Sequence, residues 1–579
     1  MCPLLICAEG MRKKEVIYQL FPRLFGNNKS NPTPYGSLQR NGSGKFRDIN
    51  SKALQSLSEM GVTHIWYTGI LEHATESDYS SYGISRDNPA VVKGRAGSPY
   101  AVKDYYDVDP DLAIEPANRM NEFRDLVLRT QKLGMKVIID FVPNHVARSY
   151  FSDNLPAGHH QLGQHDDPSE SFLPDNNFYY FPGKRFVVPK EALKECKKYT
   201  DLLKIRPFYE YPAKASGNDC FNPTPSVTDW YETVKLNYGK EFDQAQSSHY
   251  SPIPATWHRM MDILTFWAEF GIDGFRCDMA EMVPVEFWNW TITKIKSRFP
   301  AISFTAEVYN PNLYPDYLTK GKFDFLYDKV GLYDTLKKIT LGEADVTNIS
   351  ACWQSLNGID NKMLRFMENH DEQRIASDFF TGNPEKALPA VFVSACMSTG
   401  PFMLYNGQEL GEKGDRIAGF SGNDGRTTIF DYWVMPEVQK WNNDGAFTTH
   451  RLSDSQKQLR LQYSKILQLC RNEAISEGAF YDLLWINEQL VSQQVYAFLR
   501  HTKNEKMLFI ASFNANEVQT HIEISDHAIA AINLDTTNDI ECREELYLHE
   551  PDNFSYKSSG NSIILNLSLA PFESKVFRL

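Results

Sequence analysis

The 579-residue chain has no apolar run approaching the ~20 residues that cross a bilayer, so no transmembrane helix is expected. Its first residues, MCPLLICAEGMRKK, hold a short apolar patch with no basic residue ahead of it, a poor secretion signal. Leu4-Leu5-Ile6-Cys7 is likewise too short an apolar stretch for a lipoprotein cleavage site. Paired cysteine spacing is also missing. The nine cysteines are odd in number and scattered, which fits neither a disulfide framework nor a metal-ligand cluster. Free thiols in a reducing, cytoplasmic setting are the expectation. Nor is there a basic excess: the formal net charge is −13, with acids and bases interspersed, which argues against a nucleic-acid partner. Internal repeats and low-complexity linkers are absent, and no feature fixes the oligomeric state.

A chain of this length exceeds one compact core and implies two to four domains. Hydrophobic residues make up 42%, as in an ordinary globular protein, and aromatic residues 13%, a high share. Near-continuous apolar runs recur: Val16–Leu20, Thr63–Tyr67, Val137–Asp140, Gly274–Arg276, Ile302–Glu307, Phe323–Tyr327, Leu364–Met367 and Phe402–Tyr405. Such runs are strands buried on both faces, as in a parallel sheet. Helical patterns lie between them. Phe123, Leu126, Val127 and Thr130 share one face, as do Met260, Leu264 and Trp267. Eight strands alternating with helices predict an α/β fold, a closed (β/α)8 TIM barrel. Two regions interrupt it. Residues 146–239, rich in Pro, Asn, Asp, Gly and aromatics, are too long for a bare loop and are expected to form an inserted subdomain after the third strand. From about residue 450 one helix (Gln456 to Arg471) precedes an all-β pattern, Val495–Leu499, Met507–Phe513 and Ile563–Leu569, which predicts a C-terminal antiparallel sandwich over 450–579. The barrel then comprises 1–145 and 240–449.

In such a barrel, chemistry sits where strands end at the C-terminal mouth. The third strand ends Asp140-Phe-Val-Pro-Asn144-His145, the fourth Arg276-Cys277-Asp278, the fifth at Glu307, and the seventh Glu368-Asn-His370-Asp371. Any one of these residues alone reads equally well as a cap, a buried ion pair or a satisfied histidine. Together they place three acids, an arginine and two histidines toward one mouth. Cleavage of a glycoside with retention needs one carboxylate to attack and one carboxylic acid to protonate the leaving oxygen. Arg276 precedes Asp278 by two residues on the same side of a strand, and its charge is expected to keep Asp278 ionised. Glu307, on an apolar strand, is expected to hold a proton through desolvation. Asp371 is a third acid able to bind sugar hydroxyls.

These segments resemble the signature regions of the α-amylase family of glycoside hydrolases, in the family's order and spacing. Val16-Ile-Tyr-Gln, Pro99 to Tyr105, and Gly400 to Tyr405 with Gly407 and Glu409 add to the resemblance. It implies cleavage of α-1,4-glucosidic bonds in starch-type glucans or maltooligosaccharides, with no cofactor required for the chemistry. It also implies roles. Asp278 is the nucleophile, Glu307 the acid/base and Asp371 the transition-state stabiliser. Arg276 holds the nucleophile with Asp140 as its partner, His145 and His370 bind hydroxyls, and Tyr100 is the platform under the sugar. The insert corresponds to the family's domain B and the tail to its domain C.

The sequence also departs from the family pattern. Glu281-Met282 stands where many α-amylases carry Lys-His, which puts classical endo action in doubt. Lys235, in Trp230-Tyr-Glu-Thr-Val-Lys-Leu-Asn237, stands where an Asp usually joins Asn144 in binding a structural calcium. A lysine cannot ligate calcium, so no calcium is expected at Asn144. Two other readings remain open there: Lys235 is merely exposed, or Asp219 or Asp229 supplies the ligand instead. Cys277 and the pairs Trp66/Tyr67 and Trp288/Trp290 read as packing. A transglycosylase or isomerase of the same family shares every one of these features. A non-catalytic glucan-binding relative would have lost one of the acids.

Overall fold

A computed structural model describes residues 14–204, 206–242, 246–535, 540–544, 553–556 and 562–579; Leu4 to Cys7 lie outside them. Eight parallel strands close into a barrel: β1 (Val16–Leu20), β2 (His64–Tyr67), β3 (Lys136–Phe141), β4 (Gly274–Cys277), β5 (Ser303–Ala306), β6 (Phe325–Tyr327), β7 (Met363–Phe366) and β8 (Phe402–Tyr405). Each strand pairs with its neighbours in sequence, and β8 returns to β1. Apart from the first residues of β3 and β5 the strands are buried throughout, which explains why their sequences run apolar instead of alternating.

The covering helices bury the expected stripes. Helix Arg119–Gln131 buries Phe123, Leu126, Val127 and Thr130, and helix Ala255–Phe270 buries Met260, Leu264 and Trp267. Cys277, Trp66, Tyr67 and Trp288 are all core residues, at 1% exposure or less. Cys196, Cys220, Cys277, Cys352, Cys396 and Cys470 form no disulfide.

Between β2 and β3 the chain makes a hairpin, Leu71–His73 against Val102–Val108, that hydropathy does not announce. Val102–Val108 is buried at every position although its sequence is VKDYYDV. After β3 the insert is tied back by two short ladders, His145–Ala147 with Thr233–Lys235 and Tyr180–Phe181 with Ala213–Lys214. The C-terminal region holds two antiparallel sheets. One contains Ala479–Asp482, Val495–His501, Lys506–Ser512, Ser574–Arg578, Ile540–Glu544 and Asn553–Tyr556; the other pairs Val518–Ile524 with Ile563–Leu569. The last two strands bury every second residue, the period of a sheet packed on one face. Among the described residues no helix is long and apolar enough to cross a membrane.

Candidate active site

The site begins with register. Arg276 on β4 lies opposite Asp140 on β3 and Thr305 on β5. Side chains alternate along a strand, so Arg276 and Asp278 point the same way while Cys277 turns into the core. The Arg276 guanidinium is 1% exposed and holds three acids: Nη1 lies 2.7 Å from Asp278 Oδ1 and 3.5 Å from Asp140 Oδ1, and Nη2 lies 2.8 Å from Glu307 Oε2. Its Nε donates to the Tyr327 hydroxyl at 3.0 Å, and the rings of Trp66, Tyr100 and Tyr327 surround it. A buried charge is tolerated only when paired in this way.

Glu307, just beyond β5, is held from three sides. Besides Arg276, it accepts the Met279 backbone N–H at 2.7 Å on Oε2 and the Tyr309 hydroxyl at 2.6 Å on Oε1. Met279 has a φ of 41°, a left-handed conformation uncommon for a side chain of its kind, and this turn directly after Asp278 points its N–H at Glu307. Burial pushes the Asp278 carboxyl well above the usual carboxylate range and Glu307 adds to the push, while Arg276 pulls it down. The expectation that Arg276 keeps Asp278 ionised captured one of two opposing effects. The Asp278 carboxylate is therefore opposed by its burial and by the Glu307 charge, and is favoured by the Arg276 guanidinium that it shares with Glu307.

The other acid, Asp371, is the most open of the three, its side chain 42% exposed against 8% for Asp278 and 3% for Glu307. His370 Nε2 lies 2.9 Å from Asp371 Oδ2, and Gln19 Nε2 lies 2.8 Å from His370 Nδ1. If Gln19 donates there, the ring proton sits on Nε2, facing Asp371. Tyr100 stacks on His370 at 5.1 Å and reaches both His370 Nε2 (2.8 Å) and Asp140 Oδ1 (3.4 Å) through its hydroxyl. Asp140 also accepts the Gly69 N–H at 3.0 Å. These contacts join Asp140, Arg276, Asp278, Glu307, His370, Asp371 and Tyr100 into one network.

Asn144 and His145 form its flank. Asn144 Nδ2 lies 3.1 Å from His145 Nδ1 and donates to the Gly217 carbonyl at 2.7 Å. A Cβ on Gly217 would stand 2.8 Å from the His145 Cβ, so only glycine fits this approach. Burial, with Lys235 next, pushes His145 down to about 3, which keeps it neutral. Lys235 is 2% exposed, so the reading of it as a surface residue is wrong. Its ammonium donates to Asn144 Oδ1, lies 3.2 Å from the Met282 carbonyl and pairs with Asp219 Oδ1 at 2.8 Å. Asp229 is occupied by Asn218 and Ser226.

Several residues of the site escaped the sequence reading. Tyr309, Tyr327 and the Met279 N–H touch its charged groups, and Gln19 touches His370. Trp230 packs on His145 with ring centroids 5.0 Å apart. Glu281, noted only as a departure, accepts the N–H groups of Tyr309 and Asn310 at 3.1 and 3.0 Å and so fixes the loop carrying Tyr309. Tyr309 falls two residues past Glu307, the one weak signal available.

The comparisons agree with this architecture. Residues 19–431 match the family model "Alpha amylase, catalytic domain". The chain is 22% identical to Alpha-amylase 3 of Dictyoglomus thermophilum over 72% of this chain and 74% of that protein. It is also 22% identical to the trehalose-6-phosphate hydrolase of Bacillus subtilis, over 98% of each. Its fold is similar to that of a Geobacillus thermoleovorans α-amylase solved with acarbose, at a TM-score of 0.62, 18% identity, and coverage of 98% of this chain and 99% of that one. A match over most of the chain that contains every strand end bearing the clustered acids leads to one conclusion: the chain belongs to the α-amylase family and is a glycoside hydrolase.

Proposed function

We propose that this hydrolase cleaves α-1,4-glucosidic bonds in starch-type glucans or maltooligosaccharides by double displacement. The observation that carries the reading is the single guanidinium of Arg276 held between Asp278 and Glu307. Asp278 attacks the anomeric carbon as the bond to the leaving oxygen breaks, and Glu307 gives its proton to that oxygen. Glu307, now a carboxylate, then takes a proton from water, whose oxygen displaces Asp278 and frees the sugar. Asp371 and its partner His370 bind hydroxyls of the distorted ring, Tyr100 lies under it, and His145 borders it. Asp140 and Asn144 hold Arg276 and His145 in place. The oxygens of Asn144, Asp219 and Met282 around the Lys235 ammonium support the reading that no calcium binds at Asn144, because an ammonium repels a cation strongly where water is scarce.

Chromatography of maltoheptaose digests tests the reading. Shorter maltooligosaccharides are expected, and Asp278→Asn and Glu307→Gln should each lower turnover at least ~10³-fold without loss of fold. Products longer than maltoheptaose would show transfer. Untouched maltoheptaose beside a cleaved phosphorylated disaccharide would overturn the substrate assignment.

A further inference from the structure

The hairpin after β2 carries three buried acids that the proposed mechanism does not use. Glu72 lies on its first strand, Asp104 and Asp107 on its second, and ligand oxygens of the three lie within 4.8 Å of one another. Oxygens facing each other across a calcium ion stand at most about 5 Å apart, twice the usual metal–oxygen distance.

The three carboxylates differ in how much acceptor capacity they have left. Asp104 Oδ1 takes the Tyr106 N–H at 2.8 Å and the Ser152 hydroxyl at 2.7 Å, and its Oδ2 takes the Asn154 N–H at 2.9 Å. Asp107 Oδ1 takes the Val108 N–H at 2.7 Å and Arg119 Nε at 2.9 Å, and its Oδ2 takes Arg119 Nη2. With about two lone pairs per oxygen, each Oδ2 keeps one free. Glu72 keeps all of its own: it is 1% exposed and neither carboxylate oxygen has a hydrogen-bond partner. Asp153 Oδ2, on the turn between Ser152 and Asn154, is a further buried oxygen without a partner. Lys103, the nearby lysine, gives its ammonium to the Ser85 carbonyl and to Asp87 Oδ2 at 3.3 Å. Arg119 is committed to Asp107, and its one positive charge is outnumbered. A buried carboxylate with no donor is among the costliest groups a fold can carry.

We propose that Glu72, Asp104 and Asp107 bind a hard divalent cation, calcium by their all-carboxylate donor set, where the hairpin meets the first turns of the insert. The ion would take the free acceptor positions of Glu72 and one lone pair from each aspartate, and so tie the hairpin to the Ser152–Asn154 turn. The proposal is independent of the hydrolytic reading, because its test reads metal binding and melting, not turnover.

The full chain is freed of divalent ions with chelator, and calcium is titrated back by calorimetry, with melting recorded at each stage. One calcium per chain and a Tm increase of several degrees are expected. Glu72→Gln, which keeps the shape and removes the charge, should weaken calcium affinity at least ~100-fold and abolish the Tm increase. If Glu72→Gln does not fold, Glu72→Asp, which withdraws the carboxylate by one methylene, takes its place and should also bind more weakly. A chelated wild-type chain that takes up no calcium, or a Glu72 variant that binds it as tightly as wild type, overturns the proposal and leaves Glu72 a buried acid holding a proton.

Discussion

Tyr309 and Met279 reach Glu307 from opposite sides, one through a hydroxyl and one through a backbone N–H. Burial, with Glu307 beside it, pushes the Tyr309 phenol far above its ordinary range, so it remains a donor at any working pH. Tyr309→Phe should therefore lower kcat about 10–100-fold, the worth of one hydrogen bond to a charged group, with little change in KM. Unchanged kcat would mean that the hydroxyl plays no part in positioning the acid. At this scale, legibility in the sequence follows the strands. Arg276 and Asp278 were readable as a same-side pair because alternation is rigid to the strand end. Tyr309 lies beyond β5 and Glu281 beyond β4, where direction depends on loop geometry that no period reveals. The push of burial on Asp278 was hidden for a similar reason, because a neighbour two residues away shows its charge while the lost water does not show.

Single elements tell the same story in terms of burial. The eight barrel strands were legible because both faces are covered, leaving runs such as Phe402-Met-Leu-Tyr405 without a polar residue. The Val102–Val108 strand is equally buried yet was missed, because its Lys103, Asp104 and Asp107 are paired with groups outside the strand that hydropathy does not show. Glu412 is a comparable case. Its Oε2 accepts the N–H groups of Glu437 and Val438 at 2.9 and 3.4 Å, capping the helix Pro436–Asn442. Burial, with Glu437 adding and Arg374 opposing, pushes its carboxyl up to about 7 from 4.5. A raised carboxyl binds more protons folded than unfolded in that window. Its contribution is therefore complete below pH 4.5 and lost as pH rises through about 7. Glu412→Gln keeps an acceptor and removes the titration. Relative to wild type it should gain stability between pH 5 and 8, on the order of 2–3 kcal/mol, read from Tm against pH. A difference that stays constant with pH would show that Glu412 is ionised throughout.

For the molecule as a whole, the sequence made the layout readable: a barrel whose period breaks at an insert and changes to the two-residue period of a sandwich. How the insert is fastened was less visible. Lys235 reaches from the insert to Asn144 on the barrel side and to the Met282 carbonyl after β4. Lys235→Met keeps the stem and removes the charge, leaving Asn144 and Asp219 without their donor. It should cost about 2–3 kcal/mol, toward the lower end for a broken buried pair because Asp219 is partly exposed. Calcium should change the Tm of wild type and variant equally, since the variant gains no site at Asn144. A variant that acquires its own calcium dependence would show that the ammonium stands in a functional cation pocket.

The proposed double displacement requires Asp278 to form a covalent glucosyl-enzyme which water then opens from the same face. Proton NMR of the first product released from a maltooligosaccharide tests this directly, before mutarotation scrambles the anomers. The account predicts that the α-anomer appears first and drifts toward equilibrium. A β-anomer in the first spectra would contradict it, because Asp278 could then only activate water across the ring from Glu307.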